Sequence, residues 1–107
     1  MFRRRKGATI RCKINVNPKL VPDDDLALAT KLEIHWLPPP NPDGTPSAEI
    51  KRIATNLGGW VISASLLPSE TVDGKWMMDG YAEYNNGVIV KITRTVPFTV
   101  DPKYKAP

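Results

Sequence analysis

The chain carries one cysteine, one histidine and no apolar run near the roughly 20 residues that span a bilayer, and each scarcity removes a class of function. Cys12 alone can form no internal disulfide and offers no metal-ligand spacing. It sits in the series Ala8, Ile10, Cys12, Ile14, Val16, where it reads as a small hydrophobe on the buried face of a strand, whereas a catalytic thiol needs a cationic, exposed setting. His35 lies between Ile34 and Trp36, so alternation turns it to the wetter face, and without a second histidine or a nearby cysteine it is expected as a solvated side chain. Asp23-Asp24-Asp25 lacks the alternate acidic positions, glycine and glutamate of a calcium loop and reads as a turn cap or a solvated run. Ser63, Ser65 and Ser69 have no strained glycine elbow, and Gly58-Gly59 is not followed by the lysine and hydroxyl residue of a phosphate loop. The expectation is a protein with no catalytic residues, no metal and no cofactor.

What is present suits one globular domain. A chain of 107 residues with 41% hydrophobic and 24% charged content can build an ordinary core, while eleven prolines imply much loop and edge structure and little helix. The net charge of +4 is uneven: Arg3, Arg4, Arg5 and Lys6 form one basic block, and the remainder is nearly neutral. The opening MFRRRK runs into a polar strand rather than a signal-peptide apolar segment, which points to a cytosol or an assembled particle and away from a membrane. Residues 1–7 are expected as a basic tail, 8–101 as the domain and 102–107 as a second tail.

Alternation supplies the strands. Residues 8–16 place Thr9, Arg11, Lys13 and Asn15 on a wet face, and Leu32, Ile34 and Trp36 resume the pattern until Pro38-Pro39-Pro40 ends it. Between them LALAT is either one helical turn or an irregular crossing. Asn41 to Ser47 is an exposed loop of turn formers, and EIKRIA is open between strand and helical turn. Trp60, Ile62, Ala64 and Leu66 give a further strand. Trp36, Trp60 and Trp76, on different strands and on the apolar parity, are expected to anchor a core between two sheets rather than form a stacking platform for nucleic acid.

The segment MMDGYAEYNNGVIVKITRTVPFTV reads as a hairpin whose turn is set by where its apolar side chains point. A two-residue Asn86-Gly87 turn would set Ala82 against Lys91. A three-residue loop, Asn85-Asn86-Gly87 with Gly87 left-handed, pairs Tyr84 with Val88, Ala82 with Val90 and Gly80 with Ile92, and extends to Trp76 opposite Val96. The three-residue form keeps the apolar residues on one face. Pro97 implies that the last strand starts anew there or runs along an edge. Six or seven short strands with regular turn signals predict an all-β antiparallel sandwich.

The opening RRRKGATIRCKINV and the closing GWVISASLLPSETVDGKWMMDGYAEYNNGVIVKITRTVPFTV resemble small immunoglobulin-like accessory structural proteins of tailed bacteriophages. That resemblance implies that the sandwich is immunoglobulin-like, and it implies a non-enzymatic virion component, made in the host cytoplasm, that serves as a tail, baseplate or fibre-attachment adaptor among other virion proteins. A capsid decoration role, in which Arg3, Arg4, Arg5 and Lys6 grip an acidic capsid surface, is an alternative. So is a small nucleic-acid-binding protein that uses the same four residues against phosphates, although no recognised nucleic-acid motif accompanies them.

Overall fold

Proline and glycine cut the chain into short extended pieces, and the inward side chains of those pieces close over one another as two facing sheets. The computed structural model describes residues 2–5, 9–21, 26–67, 70, 72–85 and 87–101. Lys6, Ala8, Asp23 to Asp25, Ser69, Asn86 and the segment 102–107 lie outside the described residues. The strands are β1 (Phe2–Arg5), β2 (Ile10–Asn15), β3 (Lys31–Leu37), β4 (Ile50–Ile53), β5 (Thr55–Gly58), β6 (Val61–Leu66), β7 (Gly74–Glu83), β8 (Ile89–Lys91) and β9 (Val96–Asp101). One sheet runs β1-β9-β7-β3-β4, with β8 also on β7, and the other runs β2-β6-β5. All strand pairs are antiparallel except β1 with β9.

This order is that of an immunoglobulin-like sandwich, with β3, β7 and β9 at the centre of one sheet and β2 and β6 in the other. The buried tryptophan that such domains place on their third core strand is here Trp36, fully enclosed on β3. Cys12 stands buried on β2 and forms no disulfide. At the start of β7 the Trp76 indole N–H donates to the Val72 carbonyl at 2.9 Å, so tryptophan closes the corner that a tyrosine hydroxyl closes in many sandwiches of this type. Trp76 is fully buried and stacks on its cross-strand partner Phe98, with ring centroids 5.7 Å apart. Truncation of either tryptophan to alanine would remove about 3–5 kcal/mol, out of a typical total of roughly 5–15 kcal/mol.

Among the described residues the helical structure is 3₁₀ only. Asn17 caps one turn, Pro18–Leu20, by accepting the Lys19 N–H at 3.0 Å, and Leu26–Leu28 forms another where LALAT suggested a helical turn. EIKRIA is strand. It continues from β4 into β5, and at Ala54 the chain leaves one sheet for the other, with the Ala54 N–H still bonded to Leu32 O at 2.7 Å. A small side chain is needed at that crossing because it is buried between the sheets.

Three features depart from the sequence expectations. Residues 2–5 of the expected basic tail run as β1, parallel to β9, in the register Phe2↔Phe98 to Arg5↔Asp101. The open edge of β9 supplies the partner that no local pattern announces. Among the described residues there are nine strands, with β1, the split at Ala54 and a second split between β8 and β9 adding to the expected number. In the hairpin, Ala82↔Val90 pairs as expected, Gly87 is left-handed at φ 78° and its N–H bonds to Tyr84 O at 2.8 Å, but Trp76 faces Phe98 rather than Val96. Two extra residues between Ile92 and Val96 form a bulge in which Thr93 is buried while Arg94 and Thr95 are exposed, and an even insertion leaves every apolar side chain on its original face.

Candidate interaction surfaces

The outer face of the six-stranded sheet carries a cluster of charged side chains. Lys31 on β3 lies 3.8 Å from both Glu33 and Glu83, Glu33 lies 3.5 Å from His35 Nε2, and Glu49 lies 3.8 Å from His35 Nδ1 and 3.7 Å from Lys51. This chain of alternating charges results from period-two placement of polar residues on neighbouring strands. Beside it Asp79 receives Lys91 at 3.0 Å and the Thr95 hydroxyl at 2.6 Å. Pairs this exposed contribute little singly and act mainly to fix the positions of the side chains.

His35 is not the solvated side chain that alternation implies. Tyr81, on the adjacent strand, stacks on its ring at 4.2 Å with an interplanar angle of 24°, and His35 retains only 9% exposure. The ring is thus covered on one face and flanked by two carboxylates. Burial first, and the Asp79 charge second, push the Tyr81 phenol above its ordinary value, with Lys91 opposing them. Among the described residues no group of three or more His, Cys, Asp or Glu side chains converges as a metal site.

Within this face lies an apolar row, with the exposed Lys75 next to it on β7. Leu37, Met77 and Pro97 lie side by side on β3, β7 and β9, paired in register, with Leu37 48% exposed and Pro97 exposed. Among the described residues β1 joins β9 from Phe98 onward, and Pro97 precedes that stretch. The nearby loop expected at Asn41 to Ser47 is exposed and internally bonded: Asp43 accepts the Thr45 N–H at 3.0 Å and the Thr45 hydroxyl at 2.6 Å, and these bonds, the hydroxyl first, lower its pKa.

Of the residues singled out in the sequence, Trp36 and Trp76 lie in the core, while Trp60 is half-buried against it in the turn between β5 and β6. There Gly59 and Trp60 have φ of 61° and 62°, as the two central residues of a type I′ hairpin turn require, an uncommon conformation for tryptophan. Arg3, Arg4 and Arg5 belong to β1, and Ser63 lies on β6 opposite Lys13, with Ser65 opposite Arg11. Sequence reasoning missed the His35–Tyr81 stack and the Leu37–Met77–Pro97 row, because both are made by pairing between strands distant in the chain.

No protein-family model and no curated protein sequence matches this chain. Over 98% of its length the chain is similar to a segment of the crystal structure of a "putative glycoside hydrolase" from Bacteroides vulgatus ATCC 8482, with a TM-score of 0.57 and 13% sequence identity. It spans 17% of that longer chain, and at this identity the likeness concerns the fold alone.

Proposed function

We propose that this protein is a non-catalytic adaptor that works by packing the apolar row of its six-stranded sheet against another protein subunit, in the tail, baseplate or fibre attachment of a tailed-bacteriophage virion. The observation that carries the adaptor reading is the row Leu37, Met77, Pro97, apolar side chains set next to one another on an outer sheet face and bordered by a charged network. The alternatives of capsid decoration and nucleic-acid binding rest on the basic block at residues 3–6. The virion setting is supported by the resemblance of the opening and closing segments to phage accessory proteins. Burial of surface, rather than bond making, is the chemistry of such a part.

The test is sedimentation of a nuclease-treated lysate from the native source, with mass spectrometry across the gradient. Recovery in large particles at a fixed ratio to other proteins is expected, and recovery only as a small soluble species overturns the virion setting. Leu37→Glu with Met77→Glu is expected to release the chain from its partner while the variant stays folded, since Leu37 is exposed and Met77 half-buried on the outer face. Retention of the double variant in the assembly overturns the assignment of the face.

A further inference from the structure

We infer that the open edge of β2 receives an extended acidic segment of a partner protein as an added strand. β2 pairs with β6 along one side, and among the described residues no strand pairs with the other, where the Asn17 N–H just past the end of β2 bonds to Ile92 O at 2.8 Å. The Val16 N–H bonds to Trp60 O at 2.8 Å. Antiparallel alternation then turns the backbone groups of Ile14, Cys12 and Ile10 toward β6, and those of Asn15, Lys13 and Arg11 toward the open side. A row of main-chain donors and acceptors is thereby presented to an incoming strand.

Beside that edge lies a groove of about 450 Å³, bounded by residues 13–17 on one rim and by Arg94 and Val96 on the other. Ile14, Val16 and Val96 supply apolar surface within it, and Lys13 and Arg94 supply charge. The strands β2, β5 and β6 contain no aspartate or glutamate, whereas Arg11 and Lys13 stand exposed on β2. The carboxylates that pair with cations, Glu33, Glu49, Glu70, Asp79 and Glu83, lie on the other sheet or in its loops. The groove therefore favours an occupant that alternates acidic residues, toward the cations, with small apolar ones, toward Ile14 and Val16. A nucleic acid has phosphates for the cations but no amide edge for β2.

This assignment deepens the adaptor reading and rests on it, yet it concerns a different surface from the Leu37 row. The probe is a fluorescent eight-residue peptide of alternating Asp and Val, followed by anisotropy at low and high salt. Its controls are a Lys-Val peptide, the Asp-Val peptide with two central prolines, and an eight-residue oligothymidylate. The acidic peptide is expected to bind and to weaken with salt. Lys13→Glu with Arg94→Glu is expected to weaken it at least tenfold, as is Asn15→Pro, which removes an outward N–H without removing a β2–β6 bond. Lys51→Glu, on the other sheet, is expected to leave binding within twofold, and far-ultraviolet circular dichroism checks that each variant is folded. Absence of peptide binding overturns the inference, and so does equal binding of the proline peptide or of the oligothymidylate. Such a result leaves particle sedimentation untouched, so the two readings fail separately.

Discussion

Thr93 both bonds to Gly80 and occupies the space where a side chain at position 80 would stand. Its Oγ1 accepts the Gly80 N–H at 2.8 Å and donates to Arg94 O at 2.9 Å, while its Cγ2 would lie 2.5 Å from a β-carbon on residue 80. Both residues are buried, so the bulge after Ile92 is locked into the core by a hydroxyl that finds its two partners in backbone. Gly80→Ala is expected to destabilise the protein by roughly 1–3 kcal/mol, the usual cost of overpacking. Thr93→Ser removes Cγ2 and keeps the hydroxyl, so it should recover part of that loss in the double variant. A double-mutant cycle by urea denaturation measures this, and strict additivity would refute the steric account.

The loop at the hairpin tip depends on backbone conformation alone. A β-carbon at Gly87 meets nothing within 4 Å, but φ is +78°. Gly87→Val is therefore expected to cost about 1–2 kcal/mol through left-handed strain, and Gly87→Asn clearly less. An unchanged Tm for the valine variant would refute the requirement.

Tyr81 makes stability fall at high pH. Its pKa is raised from 10.0 in the fold, first by burial and then by Asp79, so the folded state holds its proton where the unfolded chain has released it. The contribution is complete below the unfolded value and declines as pH rises from about 10 toward the folded value. Ultraviolet titration of the phenolate should place Tyr81 above the ordinary range, and Asp79→Asn should bring it partway back, because burial and the Glu49 charge persist.

Trp76→Phe keeps an aromatic ring on Phe98 but loses the bond to Val72 O. The expected cost is roughly 1–3 kcal/mol from the lost hydrogen bond and the vacated volume together. A free energy of unfolding within error of the parent would show that the corner between β6 and β7 does not depend on the indole N–H.

Alternation made the inner faces legible: Ile10, Cys12, Ile14 and Val16, and Leu32, Ile34 and Trp36, are buried as their spacing implies. The hairpin turn was legible because only one loop length gathers Ala82 and Val90 on one face. The bulge at Thr93 was not, since an insertion of two residues preserves parity and leaves no trace in a hydrophobic pattern. His35 was misread for a related reason. Alternation tells which face a side chain takes, but only pairing of β3 with β7 brings Tyr81 over it. The edge of β2 was hidden likewise, because an unpaired flank is a property of sheet order and not of the strand itself.

The parallel pairing of β1 with β9 bears on how the molecule carries load. In parallel neighbours, the start of β1 and the finish of β9 lie at opposite ends of the ladder. Tension drawn between those two points slides one strand lengthwise against the other, so the bonds across Phe2↔Phe98 to Arg5↔Asp101 are strained together instead of being peeled away singly. The sandwich is thus geared to resist stretching along the strands more strongly than a pull directed across them.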